Sequence, residues 1–573
     1  MNPPPPQSSL TQIVEQALAF HRQGRLDDAE KIYARVLKSY PDHFDALHLL
    51  GMLRHQRGKN GEAHRLITAA LRVEPRSADA LSNLALVLHA LKRHDEALAA
   101  LDKALELEPA HTDALVNSGN TLLDRGRPQE ALTCFEKVLA REPGFSPARL
   151  GHGNTLATLG RPEEALVDYD AVLVAQPAHA SAHYNRGNAL LALGRASEAL
   201  AAFDKTLAIV PNHTMAMNNR GAALQALNRY EEAIASFDQV LAMDKNYADA
   251  QYNRAQALLT IGDFRRGLEA YEWRWKRTGM AAHRPAFGRP LWLGEYPLSR
   301  KTILLHAEQG LGDTIQFARY LPLVAKTAGK VVLQVQPELK DLLAQIDVAA
   351  MVVGRDEALP AFDVHCPLGS LPLAFKTEIG TIPADIPYLK ASEERLNKWR
   401  ARVPKTGQPL VAIAWAGRAT HGNDRNRSLA VSRLAPLLSQ ETARFVSIQR
   451  DLREGDSDFL RTCPGLEHVG DELEDFADTA AVVALADLVI SVDTSVAHLA
   501  GAMGQPVWIL LPFAPDWRWL LDRDDSPWYP TAKLFRQPVL GDWDSVIERV
   551  RRELALGPAQ SFTWQRARHL KVP

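Results

Sequence analysis

Cysteine is scarce: Cys134, Cys366 and Cys463 are the three in 573 residues, far apart and without C-x-x-C spacing. Neither a disulfide framework nor a thiolate zinc site is indicated, and a reducing, cytoplasmic setting is expected. An excess of one charge is also missing, since 66 Lys and Arg face 68 Asp and Glu. A chain whose main partner is the nucleic-acid backbone needs a basic excess to displace counterions, so no nucleic acid is expected as partner. No uninterrupted run of 18 apolar residues occurs, which argues against a membrane span. The opening MNPPPPQSSL lacks the basic and apolar regions of a secretory signal. What is present is a mixed chain, 46% hydrophobic, able to bury large cores and long enough for about three domains.

A period of 34 residues organises the first half. Alanines recur at Ala29, Ala63, Ala97, Ala131, Ala165, Ala199 and Ala233, and prolines at Pro41, Pro75, Pro109, Pro143, Pro177 and Pro211. A third column holds Gly51, Gly119, Gly153, Gly187 and Gly221, with alanine at Ala17, Ala85 and Ala255. Apolar residues between the columns fall at helical spacing, and each proline follows a helix it cannot continue. Each unit therefore reads as helix, turn, helix. A fourth column reads Tyr33, Ile67, Leu101, Phe135, Tyr169, Phe203, Phe237 and Tyr271.

These columns resemble the tetratricopeptide repeat over about eight units, residues 10 to 279. The last unit departs, with Gly267 in place of alanine and Lys245 in place of proline, and is expected to form the junction with the second half of the chain. A further column, Asn83, Asn117, Asn185, Asn219 and Asn253, keeps the same period. The resemblance implies that the first helix of each unit lines a concave groove, where an asparagine ladder offers donor and acceptor to the backbone of an acceptor polypeptide. The alternative is that these asparagines simply serve the fold.

From Arg300 the composition changes to apolar runs alternating with helical segments: Thr302 to Leu305, Val331 to Val335, Leu410 to Trp415, Phe445 to Ile448, Leu488 to Val492 and Val507 to Leu511. That alternation implies parallel sheets, and the two sets of runs imply two Rossmann-like lobes facing a cleft. Ligands of such folds sit at strand carboxyl ends beside helix N-termini. The expected division is a disordered leader 1–9, a repeat array 10–280, a linker 281–300, a first lobe 301–395 on the acceptor side, a second lobe 396–556 on the donor side, and a tail 557–573.

Three segments carry candidate chemistry. After the TILLH run comes AEQGLGDT, then a helix expected through about Ala325. Gly310 and Gly312 let the backbone approach a ligand, although Ile315 stands where a dinucleotide fingerprint needs glycine. Asp313 either caps the helix or acts as general base, with Glu308 in reserve. In the second lobe, SVDTSVAH places Asp493, Thr494, Ser495 and His498 at a helix start. An aspartate repels phosphate, so Asp493 is expected to cap or bind a hydroxyl while Thr494 and Ser495 face the phosphates. The loop AGRATHGNDRNRS adds Arg425, Arg427 and Ser428, guanidinium forks suited to phosphate oxygens, unless it is only a solvated basic loop. Gln449, just past the FVSI run, is counted with the donor-binding residues. Trp517, Trp519 and Trp528 either stack on a sugar or base or fill the core.

These motifs resemble the GT-B glycosyltransferases, in particular the heptosyltransferase-related group, through G-L-G-D and D-T-S-V-A-H-L-A-G-A-M-G-Q-P-V over roughly residues 300 to 540. The resemblance implies that Asp313 is the base and that Asp493, Thr494, Ser495 and His498 lie against a nucleotide-sugar donor. Where those relatives use a lysine, this chain has its arginine-rich loop. Repeats followed by such a domain also resemble the bacterial flagellin glycosyltransferases, to which the D-W-R-W and S-P-W-Y stretches add. The characteristic donor-site sequences of the nucleocytoplasmic O-linked N-acetylglucosamine transferase are not found. The expected fold is thus an N-terminal all-α TPR superhelix followed by an α/β GT-B fold of two Rossmann-like lobes. The expected function is metal-independent transfer of a sugar from a nucleotide-sugar donor, with no cofactor, to Ser or Thr of a captured polypeptide such as flagellin. Two alternatives stand beside it: an interaction scaffold with an inactive transferase domain, and a heptosyltransferase-like enzyme building a saccharide chain.

Overall fold

The computed structural model describes residues 7–277, 279–280 and 284–556. Residues 1–6 of the expected leader, 281–283 of the linker and the whole tail 557–573 lie outside the described residues. The chain divides into two compact units between Ala216 and Met217, inside the helix Thr214–Ala226.

The first unit is all-helical, its helices following one another in pairs such as Thr112–Asp124 and Pro128–Leu139. In several pairs the leading helix is started by a side chain. His43, Ser77, His111 and His179 each accept the backbone N–H three residues on, at 3.3, 3.2, 3.2 and 3.2 Å, which satisfies one of the free donors at a helix N-terminus. The second helix in most pairs starts instead on an arginine that folds onto an acidic residue three residues later, as Arg127 does with Glu130 at 2.6 Å. Such exposed pairs stabilise little.

The glycine and aromatic columns explain each other. A Cβ on Gly119 would lie 2.5 Å from the Phe135 ring, on Gly153 2.8 Å from Tyr169 and on Gly187 2.6 Å from Phe203. Each ring is buried against the bare backbone of its partner helix. The 16-residue offset between the columns is therefore a packing distance, with glycine making room for the ring.

The second unit opens with the last repeats, Tyr230–Met243, Ala248–Thr260 and Phe264–Tyr271. Their inner residues Leu259, Phe264, Leu268 and Tyr271 belong to one apolar core that continues into the α/β part. There β1 (Thr302–His306), β2 (Lys330–Val335), β3 (Ala350–Gly354) and β4 (Val364–Pro367) form a parallel sheet of order β3-β2-β1-β4. A second parallel sheet has the order β10-β9-β8-β5-β6-β7. Its strands are β5 (Leu410–Ala414), β6 (Arg444–Ser447), β7 (Leu466–His468), β8 (Leu488–Val492), β9 (Val507–Leu511) and β10 (Ala532–Arg536). β5, β8 and β9 are buried throughout, as both faces of a central parallel strand must be. Strand order reverses at β1 in one sheet and between β5 and β8 in the other, and such points leave a crevice at the carboxyl ends.

The single helix expected through Ala325 is broken into Leu311–Phe317, a 3-10 turn Ala318–Tyr320 and Leu321–Thr327, with Pro322 restarting the last piece. Among the described residues no helix is long and apolar enough to cross a membrane.

Gly119→Val should cost about 1–3 kcal/mol through overpacking against Phe135. Chemical denaturation would read this as a lower midpoint, and an unchanged midpoint would remove the packing account of the column.

Candidate functional site at the strand carboxyl ends

The turn after β1 leads into α1 (Leu311–Phe317), whose N-cap is Gly310. Asp313, in the first turn of α1, accepts the Gly310 N–H through Oδ2 at 2.9 Å. Its other oxygen takes the Arg518 guanidinium. The carboxylate is thus both a cap and one half of an ion pair, with its side chain 25% exposed. After β8, the chain enters α2 (Ser495–Ala502). A Cβ on Gly312 would lie 2.8 Å from His498 Cδ2 and 3.5 Å from Ser495 Cα. Only hydrogen fits there, so the G-L-G-D and D-T-S-V-A-H motifs, carried by different sheets, are pressed together.

Arg518 ties this junction. It donates to Asp516 Oδ1 at 2.9 Å and also to Asp313 and Gln316, while its guanidinium lies 4.6 Å from the Trp517 ring centre. Burial disfavours its charge, but the carboxylates of Asp516 and Asp313 more than compensate and raise its pKa. Arg319, also buried, donates to Trp528 O at 2.7 Å and Pro383 O at 3.2 Å. Two residues past Arg518, Leu520 adopts φ 52°, ψ −164°, a backbone strain of about 1–3 kcal/mol for a residue with a side chain.

In the second lobe Thr494, not Asp493, is the cap of α2: its hydroxyl accepts the Val496 N–H at 3.3 Å and lies 3.0 Å from Ser491 Oγ. Of the two roles expected for Asp493, the cap is corrected: it falls to Thr494, whose hydroxyl the helix N-terminus recruits. Asp493 is buried. Burial pushes its carboxyl up to about 6, Asp516 adds to the rise and Arg427 opposes it. His498 Nδ1 lies 2.9 Å from the Tyr529 hydroxyl, and its ring stacks on Trp519 at 5.3 Å. Burial and the guanidiniums of Arg518, Arg319 and Arg427 hold this imidazole well below the ordinary range, hence neutral. Ser495 is half-buried, and its hydroxyl forms no hydrogen bond among the described residues.

The arginine loop divides. Arg427 turns inward, donating to Asp493 O at 3.0 Å, with its Nε buried and lacking a hydrogen-bond partner among the described residues. Arg425 is exposed. Ser428 closes the loop on itself, donating to Asp424 at 2.8 Å and accepting the Gly417 N–H at 3.0 Å. His421 lies in the electrostatic field of Arg427, Asp313 and Asp516; burial first and Arg427 second lower its pKa.

Several expected roles fail on geometry. Glu308 is not a spare base: it forms a buried bidentate pair with Arg274, at 3.0 and 3.1 Å. Burial pushes Glu308 up to about 7 while Arg274 pulls it down. Gln449 spends its amide on the strand-end loops, accepting the N–H groups of Trp415 and Ala416 and donating to the carbonyls of Ala416 and Asp451. Trp517, Trp519 and Trp528 are buried, Trp517 packing edge-on at 5.8 Å against Phe264 of the last repeat. The core reading holds for all three.

The asparagine ladder is largely internal. Asn83, Asn117, Asn185 and Asn253 direct their amide nitrogens to His48, Ser82, Asn154 and Asn218, at 2.9, 3.1, 2.7 and 3.2 Å. Asn219 accepts from Asn218 at 3.0 Å. The donors bridge neighbouring repeats, and in the first four the side-chain carbonyl accepts no hydrogen bond among the described residues.

Families described as Tetratricopeptide repeat match residues 116–169, 150–214 and 76–141, and one described as TPR repeat matches 223–262. Another, described as Anaphase-promoting complex, cyclosome, subunit 3, matches 22–104. The first half of the chain carries tetratricopeptide repeats. The chain is 28% identical over 313 residues to protein FlbA of Caulobacter vibrioides, which covers 50% of this chain. It spans about half, 52%, of that protein's length. Among solved structures it is similar to a tetratricopeptide repeat protein from Parabacteroides merdae, at 22% identity and a TM-score of 0.36, covering 44% of this chain and 99% of that one. YrrB, a TPR protein with an unusual peptide-binding site, matches at 25% identity and a TM-score of 0.28, covering 32% of this chain and 96% of its own.

The buried charges lend themselves to two stability experiments. Because folding raises the Asp493 pKa from 3.8 to about 6, the native state binds a proton more tightly than the unfolded chain. Its ionisation therefore costs stability as pH rises through that window. Asp493→Asn should be more stable than the wild type at pH 8, by about 3 kcal/mol at 1.36 kcal/mol per pKa unit, with the gap closing below pH 4. A gap that is constant with pH would refute the assignment. Arg274→Met strands Glu308 and should destabilise by about 3–5 kcal/mol; adding Glu308→Leu should recover most of that loss in the same denaturation assay.

Proposed function

We propose that the chain is a protein glycosyltransferase of the GT-B type, moving a sugar from a nucleotide-sugar donor to a Ser or Thr hydroxyl of a polypeptide held by the repeats. One observation carries the reading: two strand-end motifs, each at a strand-order reversal of its own parallel sheet, meet at Gly312 and His498. A helix N-terminus with an uncommitted Ser495 hydroxyl and the inward guanidinium of Arg427 with a spare buried N–H supply groups for a departing phosphate. Asp313 is the base. Its carboxylate is engaged by Arg518, so in this mechanism Arg518 turns to the phosphate as the donor binds and frees the carboxylate for the acceptor hydroxyl. A positioned base contributes about 10²- to 10⁴-fold to attack by a hydroxyl. Flagellin stands first among acceptors on the sequence resemblance to bacterial flagellin glycosyltransferases.

A second reading, the scaffold, is favoured by a specific observation: Asp313, Thr494 and Gln449 are all engaged within the protein. Co-expression with a candidate acceptor and intact-mass spectrometry separates the two. The transferase reading expects a sugar-sized mass on the acceptor that Asp313→Asn reduces by about 100-fold or more while the variant stays folded. No added mass, together with no nucleotide-sugar binding by the wild type, would leave the scaffold.

A further inference from the structure

The turn inside the third repeat gathers two imidazoles and a carboxylate. His89 is the penultimate residue of the helix Ala78–Ala90, His94 opens His94–Leu107, and Asp124 closes Thr112–Asp124 of the next repeat. One ligand atom from each lies within 4.8 Å of the others. The His89 and His94 rings meet edge to face at 5.0 Å between centres. His89 Nε2 is 2.9 Å from Asp124 Oδ2, yet the contact lacks hydrogen-bond alignment. His94 Nδ1 is buried with no hydrogen-bond partner among the described residues. Two imidazole nitrogens and a carboxylate thus lie close together, and neither nitrogen makes an aligned hydrogen bond among the described residues.

The preceding repeat shows what the same positions do without the second imidazole. There His55 and Asn60 stand where His89 and His94 stand one period later, and His55 Nδ1 meets Asn60 Oδ1 at 2.7 Å in a satisfied hydrogen bond. The position of Asp124 is held by Ala90 for that repeat. The third repeat thus replaces the amide with an imidazole and gains a carboxylate. The turn between its histidines is also unusual: Lys92 takes φ +61°, where the neighbouring repeats have Gly58 and Gly126. A residue with a side chain pays strain in that region, and this turn sets the separation of the two rings.

We infer that His89, His94 and Asp124 form a binding site for a divalent transition ion of the zinc class. Neutral imidazole nitrogens and a carboxylate are the ligand types such an ion takes, with a fourth position for water. Bonds of about 2.0–2.1 Å place ligand atoms roughly 3.3 Å apart. Rotation of the exposed Asp124 and of His94 closes the remaining difference. The ion would join the two helices of the third repeat to the first helix of the fourth and stiffen the array there.

Co²⁺ and Zn²⁺ titrations of the full chain test this. Co²⁺ should give one equivalent with the visible absorption of a four-coordinate ion, displaced by Zn²⁺, and Zn²⁺ but not Mg²⁺ should raise the melting temperature. His94→Asn, which copies the His55/Asn60 pair, should keep the helical circular dichroism and bind at least tenfold more weakly; Asp124→Asn provides a second variant if the first unfolds. The wild type taking up no Co²⁺, or both folded variants binding as tightly as the wild type, would overturn the assignment, since the chain's 19 histidines would then account for any uptake.

Discussion

A guanidinium removed from water must be neutralised where it sits, and Arg518 meets that demand with groups from both sheets. Asp516 comes from its own loop, Asp313 and Gln316 from the helix after β1. Asp313 and Asp516 thus share one buried cation, so electrostatics as well as apolar packing joins the two sheets. Much of the site inherits its properties from this. Burial first, and then the guanidiniums gathered at this seam, keep His498 neutral and lower the pKa of His421.

The repeats use a different principle. Their period is enforced by sterics, a missing side chain on one helix opposite a ring on the next, while the hydrogen bonds of the asparagine column stitch one repeat to another.

The repeat half is legible in the sequence because its spacing is rigid: eight similar units repeat every signal. The parallel strands are legible where they are apolar runs buried throughout, as at β5, β8 and β9. β4, with His365 and Cys366 in four residues, and β7, three residues long, carry too little pattern to stand out. Site residues are harder. Gly312, Asp313, Ser495 and Arg427 do fall near strand ends, but partners decide roles and partners are tertiary. Nothing in AEQGLGDT announces that Glu308 belongs to Arg274, and nothing in DTSV separates Thr494 as cap from Asp493 as buried acid. Arg518 stands in the sequence only as one letter of D-W-R-W; an arginine between two tryptophans is a usable signal of a buried cation, because its flanking residues are drawn into the core.

The core that runs from Leu259, Phe264 and Tyr271 into the sheets bears on how this protein can be divided. A cut near residue 280, where composition switches from helical repeat to α/β, would pull Phe264 and Tyr271 away from Trp517 and Trp528 and lay a greasy face open to solvent. The two compact units part instead near Ala216, inside the helix Thr214–Ala226. Evolution could therefore lengthen or trim the array at its far end, one repeat at a time, without touching the two repeats that have become part of the globular body.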